Sequence, residues 1–140
     1  MTISNKTISI LLLCLIFLNS CGVMFGGTQY SGTITVQDHP NADIYIDGSK
    51  VGKGITTGTF KRKNSLIVEI KEEGCADKTQ TFEKTLRTGN FIISILSWGL
   101  IGLGVDLGTG AAYKPNHGKD DRIQKVNDKQ FNFTASYSCD

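Results

Sequence analysis

The chain has 140 residues, 15 basic against 13 acidic, giving a net charge of +2, and only 9% of it is aromatic. That near balance excludes a nucleic-acid binder, which needs a strongly basic surface interleaved with stacking aromatics. The length allows one modest hydrophobic core and excludes two.

At the N-terminus one early charge, Lys6, precedes a run from Ile8 to Leu18 that is apolar except for Ser9. This is the layout of a signal peptide. It falls short of the roughly 17 to 25 residues that a membrane-crossing helix needs. The next residues, Leu18, Asn19, Ser20 and Cys21, resemble the lipobox of bacterial lipoproteins, with Asn19 a less usual second residue. The resemblance implies a diacylglyceryl thioether on Cys21, cleavage before it, and a further palmitate-like chain on the new amino terminus. Gly22, where an Asp would signal inner-membrane retention, points to the outer membrane and a domain facing the periplasm. The alternative is ordinary secretory cleavage with Cys21 a plain thiol.

Removing residues 1–20 takes away Lys6 and no acidic residue, leaving 120 residues and a net charge of +1. Residues 21–29 read as a lipidated tether, small and flexible from Gly22 to Gly27. Residues 30–140 read as a single domain. Cys14 leaves with the signal and Cys21 is consumed by lipid, so the domain keeps an even pair, Cys75 and Cys139. In an oxidising envelope such a pair is expected as a disulfide, the alternative being two buried thiols. His39 and His117 have no ligand spacing to either cysteine, so no metal site is expected.

From Tyr30 the chain alternates, with Ile34 and Val36 on one face, until Asp38, His39, Pro40 and Asn41 break it. Asp43 to Asp47 reads as a strand entering a turn at Gly48, and Val51 to Gly54 as a short return. Leu66, Val68 and Ile70 mark a further strand. Thr79 to Arg87 reads as one more, with Phe82 and Leu86 sharing a side. The last strand puts Phe131, Phe133, Ala135, Tyr137 and Cys139 on one inward face. Five or six short strands predict a mainly β fold, a small antiparallel β-sandwich or open barrel.

The run Pro40, Asn41, Ala42, Asp43 to Asp47, Gly48, Ser49, Lys50, Val51, Gly52 resembles the opening of the PEGA domain: a P-E-G-A start, a strand, an Asp-Gly turn and a small-residue return. Ala42, Asp47 and Gly48 match. Asn41 replaces the E-G pair, Thr56 and Thr57 replace Thr-Pro, and Gly74 is followed by Cys75 where the family shows an aromatic. The resemblance covers residues 30–87 and implies a β-sandwich module of envelope proteins with no shared activity.

From Phe91 to Tyr113 the chain changes character. Its first fifteen residues are apolar except Ser94 and Ser97, glycines follow at 99, 102, 104, 108 and 110, and Asp106 interrupts. An ionised Asp at mid-bilayer costs about 2.5 to 3.5 kcal/mol, which disfavours one clean span. An inserted Gly-rich helical segment is expected instead. It either touches the membrane through Phe91, Ile92, Ile95, Leu96, Trp98 and Leu100, where Gly104 and Gly108 form a G-x-x-x-G pair that lets helices approach closely, or it is a buried hairpin with its glycines at close backbone contacts. The order Gly102, Asp106, Thr109, Gly110, Ala111, Tyr113, Pro115 resembles a segment of small bacterial lipoproteins with a PEGA-like half.

Lys50, Lys53, Lys61, Arg62 and Lys63 form the one local basic cluster, either solvated or meeting anionic headgroups or glycans. Catalytic patterns are not apparent. Gly48 to Gly54 has the wrong spacing for a phosphate loop, no nucleophile elbow occurs, and Asp38 beside His39 lacks a nucleophile. Glu72 with Glu73, and Asp120 with Asp121, are expected to face solvent. No enzyme and no cofactor is therefore expected. The sequence points to a membrane-anchored envelope lipoprotein with a binding or scaffolding role toward envelope protein or glycan. The alternatives are a membrane-active or oligomerising lipoprotein acting through residues 91–113, and an immunity or exclusion lipoprotein.

Overall fold

A computed structural model describes residues 27–89, 92 and 104–139. They contain β1 (Gln29–Gln37), β2 (Asp43–Ile46), β3 (Ser49–Lys53), β4 (Ile55–Lys61), β5 (Leu66–Lys71), β6 (Lys78–Phe82), β7 (Lys84–Leu86), β8 (Tyr113–Pro115), β9 (Ile123–Asn127) and β10 (Gln130–Ser136). Eight strands make one sheet in the order β6-β5-β2-β3-β4-β1-β10-β9, and β7 with β8 forms a separate ribbon. The protein is mainly β, as its alternating patterns predict.

Alternation decides the core. Ile34 and Val36 on β1, Val68 and Ile70 on β5, and Phe131, Phe133 and Ala135 on β10 are all buried, while Ile67, of the opposite parity, is 49% exposed. Side chains a strand apart by two share a face, so each strand contributes one apolar row. The rows meet because the sheet curls. Phe82 on edge strand β6 packs edge-on against Phe133 on β10, ring centres 5.1 Å apart. The same approach is held by polar contacts. The Gln80 side-chain amide donates to the Ser136 carbonyl. Arg122 forks onto Asp120 at 2.8 Å through Nε and Nη2, donates to Gln80 Oε1 at 3.3 Å, and lies over the Phe82 ring. Asp120 is thus tied up rather than turned to solvent, and the Arg122 hydrogen bonds hold its carboxyl below the usual range. Glu72 likewise accepts from His39 at 2.6 Å.

The registers orient the molecule. β1 runs antiparallel to β4, Gln29 opposite Lys61, and parallel to β10, Ser31 opposite Gln130 and Gln37 opposite Ser136. One pole therefore carries the start of β1, the end of β4 and the β9–β10 turn. The other carries the ends of β1 and β10. At about 3.3 Å per residue the nine residues of β1 separate the poles by roughly 26 Å.

Four expectations change. The sheet is mixed rather than antiparallel, since alternation fixes which face a side chain takes and not the direction of the neighbouring strand. Residues 79–87 break into β6 and β7 at Glu83, so Phe82 is buried and Leu86, on the ribbon, is 44% exposed. β10 stops at Ser136, so Cys139 is exposed despite its inward parity, while Tyr137 stays buried and donates to the Ala76 carbonyl at 2.9 Å. Of the expected helical insertion, 91 and 93–103 lie outside the described residues, 92 and 104–109 are helical, and Tyr113 is already in a strand.

Cys75 and Cys139 lie at disulfide distance at the far pole, Cα atoms 5.0 Å apart and 64 residues apart in sequence. Closing so long a loop stabilises by about 4 kcal/mol on the chain-entropy model, with measured bridges giving about 2 to 5. Reduction, or Cys75→Ser, is expected to lower the urea midpoint accordingly. Two titratable thiols in the non-reduced protein, with a midpoint that reductant does not move, would refute the bridge.

Candidate membrane-facing pole

The pole at the start of β1 is built around Arg62. Its side chain is 1% exposed, the largest fully buried one among the described residues. Nε donates to the Gln29 carbonyl at 3.2 Å, Nη2 to the Asp128 carbonyl at 2.6 Å, and Nη1 reaches the Tyr113 carbonyl at 3.4 Å. Its own amide donates to the Thr28 carbonyl at 2.9 Å. The guanidinium lies 5.8 Å from the centre of the Tyr30 ring. Burial, and then the positive charge of Arg87, pull the Arg62 pKa down, yet a guanidinium starts so high that it stays charged at neutral pH. Burial pushes the Tyr30 hydroxyl up, so it stays neutral. One side chain thus joins three distant pieces of chain: the start of β1, the β8 end of the ribbon, and the β9–β10 turn.

The ribbon is clamped to the same corner. β7 and β8 pair with Leu86 opposite Tyr113, and Arg87 N–H donates to the Ala112 carbonyl at 2.7 Å. Lys84 donates to the Lys63 carbonyl and lies 4.5 Å from the centre of the Tyr113 ring. Gly110 sits at φ +88°, where a Cβ would stand 2.7 Å from the Lys63 backbone nitrogen, so both its conformation and its close approach require glycine. Its N–H closes the 104–109 helix, donating to the Asp106 carbonyl at 3.1 Å.

Beside Arg62 a groove of about 170 Å³ is lined by Arg87, Thr88, Gly89, Lys114, Lys125 and Asp128, with Phe131 as its apolar floor. Lys125 pairs with Asp128 at 2.6 Å, so three cations face one carboxylate. Hydrogen bonding to Lys125 holds the Asp128 carboxyl below its usual range. The field extends to His117, whose pKa is lowered by burial first and then by Lys114 and Lys125. Its ring stands edge-on to Phe131, centres 6.0 Å apart.

The sequence-derived candidates fall as follows. Cys21, Phe91, Ile95, Leu96, Trp98 and Leu100 lie outside the described residues. Ile92 is 53% exposed. Cys75 and Cys139 sit together at the opposite pole. The basic cluster does not exist as one patch: Lys50 and Lys53 reach Asp43 at 2.6 and 3.6 Å, and Arg62 is interior. Gly104 and Gly108 have no heavy atom of another described residue within 4 Å of an added Cβ. Arg87, Lys114 and Lys125 were not singled out by sequence, because only the Leu86–Tyr113 register and the β9–β10 turn bring them together. No helix among the described residues is long and apolar enough to cross a membrane, and no group of three potential metal ligands occurs among them. Compared with known family models, with curated proteins and with solved structures, the chain gives no significant match.

Proposed function

We propose that this protein is a lipid-anchored lipoprotein of the cell envelope whose β domain serves a non-catalytic binding or scaffolding role. The observation that carries the reading is the gathering at Arg62. The tether root at Gln29 and the Tyr113 end of the ribbon that bears the apolar stretch meet on one side chain, next to a cation-lined groove. A domain held by lipid at Cys21 would present this pole to the bilayer. Eight residues from Cys21 to Gln29 reach at most about 28 Å, so the domain could not stray far. Acyl chains contribute about 0.8 kcal/mol per buried methylene, and two or three together hold a protein permanently.

The fold that suits this role is an open, PEGA-like barrel. Asp47 at φ 50° and Gly48 at φ 76° form the two-residue turn between β2 and β3 that favours Asp-Gly, and Ala42 is fully buried at the position matched to the PEGA alanine. β3 and β4 share only the Lys53–Ile55 pair, so the sheet splays there. A groove of about 230 Å³ opens beside it, lined in part by Ile46, Phe60, Leu66 and Ile67, and offers a place for an envelope protein. Exposed Ile92 and Val105, 53% and 58% accessible, favour a membrane contact by residues 91–113 as a second component of the same role.

Orientation tests this. With the lipidated protein in vesicles that carry a paramagnetic headgroup, the amides of Gln29, Lys114 and Asp128 should broaden, and those of Asp38, Gly74 and Ser136 should not. Uniform broadening, or broadening at the Cys75 pole, would overturn the proposed arrangement.

A further inference from the structure

We infer that the groove between the ribbon and β9 binds the phosphate of an anionic phospholipid headgroup. The inference rests on the anchored reading above and names what the membrane-facing pole recognises. Charge comes first: among the described residues the groove is lined by three cations, Arg87, Lys114 and Lys125, and one carboxylate, Asp128, which pairs with Lys125 at 2.6 Å. Among the described residues Lys114 makes no ion pair. Behind the groove the buried Arg62 guanidinium adds a further positive charge, donating to the Asp128 carbonyl.

Size and shape agree. About 170 Å³ admits a phosphodiester, and an Arg fork with two ammonium groups suits its tetrahedral oxygens. The surroundings then select among anions. Leu86 on β7 and Val126 on β9, 44% and 53% exposed, lie at the same pole outside the groove, Val126 on the face opposite Lys125. A lipid surface meeting this pole would cover both while its phosphate fills the groove, and free phosphate would cover neither. The tether root lies on the same pole through Arg62, so a lipidated Cys21 would deliver the groove to headgroup depth without a search.

The test uses the full-length lipidated protein in vesicles of phosphatidylcholine, with or without phosphatidylglycerol. Lysine acetylation is read residue by residue by mass spectrometry. Phosphatidylglycerol is expected to slow acetylation of Lys114 and Lys125 about fivefold or more, the size expected per cation near an anionic surface. Lys50 and Lys78 should be unaffected, and high salt should abolish the effect. Arg87→Gln should remove most of the protection while Lys78 keeps its rate, which separates loss of binding from loss of fold. Equal rates in both vesicle types, for protein that floats with them and carries acyl mass, would overturn the inference and leave the anchor standing. Protection by inorganic phosphate alone would make the groove a free-anion site and also overturn it. A protein that neither floats nor carries acyl mass would refute anchor and inference together.

Discussion

Arg62→Met is expected to lower the stability of the β domain by about 3 kcal/mol. Methionine nearly fills the space, so a cavity is not the cause. What is lost is a buried cation that satisfies the carbonyls of Gln29, Tyr113 and Asp128 at 3.2, 3.4 and 2.6 Å. Hydrogen bonds to a charged group contribute about 1.5 to 3 kcal/mol each, and a buried carbonyl left without a partner costs about 1 to 3. Water reaching the rim would recover part of that sum, which brings the expectation down to the stated value. Arg62→Lys should recover less than half, because one ammonium cannot span three carbonyls set around a planar fork. Hydrogen exchange should rise first at the β1 start and the β9–β10 turn, and last at the Cys75 pole. A methionine variant with an unchanged urea midpoint would show that the pole does not depend on this side chain.

Much of the fold could be read from the chain because alternation is a local signal. Ile34 and Val36, Leu66, Val68 and Ile70, and Phe131, Phe133, Ala135 and Tyr137 each declare an inward face within a few residues, and all of them are buried. β4 was missed for a corresponding reason. Its ITTGTFK places half-buried and exposed residues in alternation with no apolar row, so nothing in the letters separates it from a loop. β7, β8 and β9 are short, and they exist because of partners far away in sequence. The parallel β1–β10 pair is equally non-local, since parity is blind to strand direction.

The pole was less legible than the fold. Arg62 stood among Lys61 and Lys63 as one of a row of cations, and only its three carbonyl partners, from 33 to 66 residues away, make it interior. The groove cations come from three separate stretches and carry no spacing that a reader of the sequence could use. Cys75 and Cys139 were paired by counting, which needed no geometry, yet the inward placement of Cys139 by parity was wrong because the strand ends three residues earlier.

The largest effect of all is expected from Cys21→Ala. On the proposed reading the lipobox-like Leu18, Asn19, Ser20, Cys21 would supply the acyl acceptor, and without the sulfur no thioether could form. Cleavage before residue 21 follows acylation in the lipoproteins this segment resembles, so the variant should keep residues 1–20 or be cut elsewhere. Residual membrane contact through the cationic pole would then be weak and salt-sensitive, at roughly 1 kcal/mol per cation. The intact mass of the wild-type protein extracted from native membranes tests the claim most directly. A chain beginning at Cys21, with a diacylglyceryl group on its sulfur and a further acyl chain on its amine, is the predicted result. A chain that begins elsewhere, or one that carries Cys21 as an unmodified thiol, would contradict it.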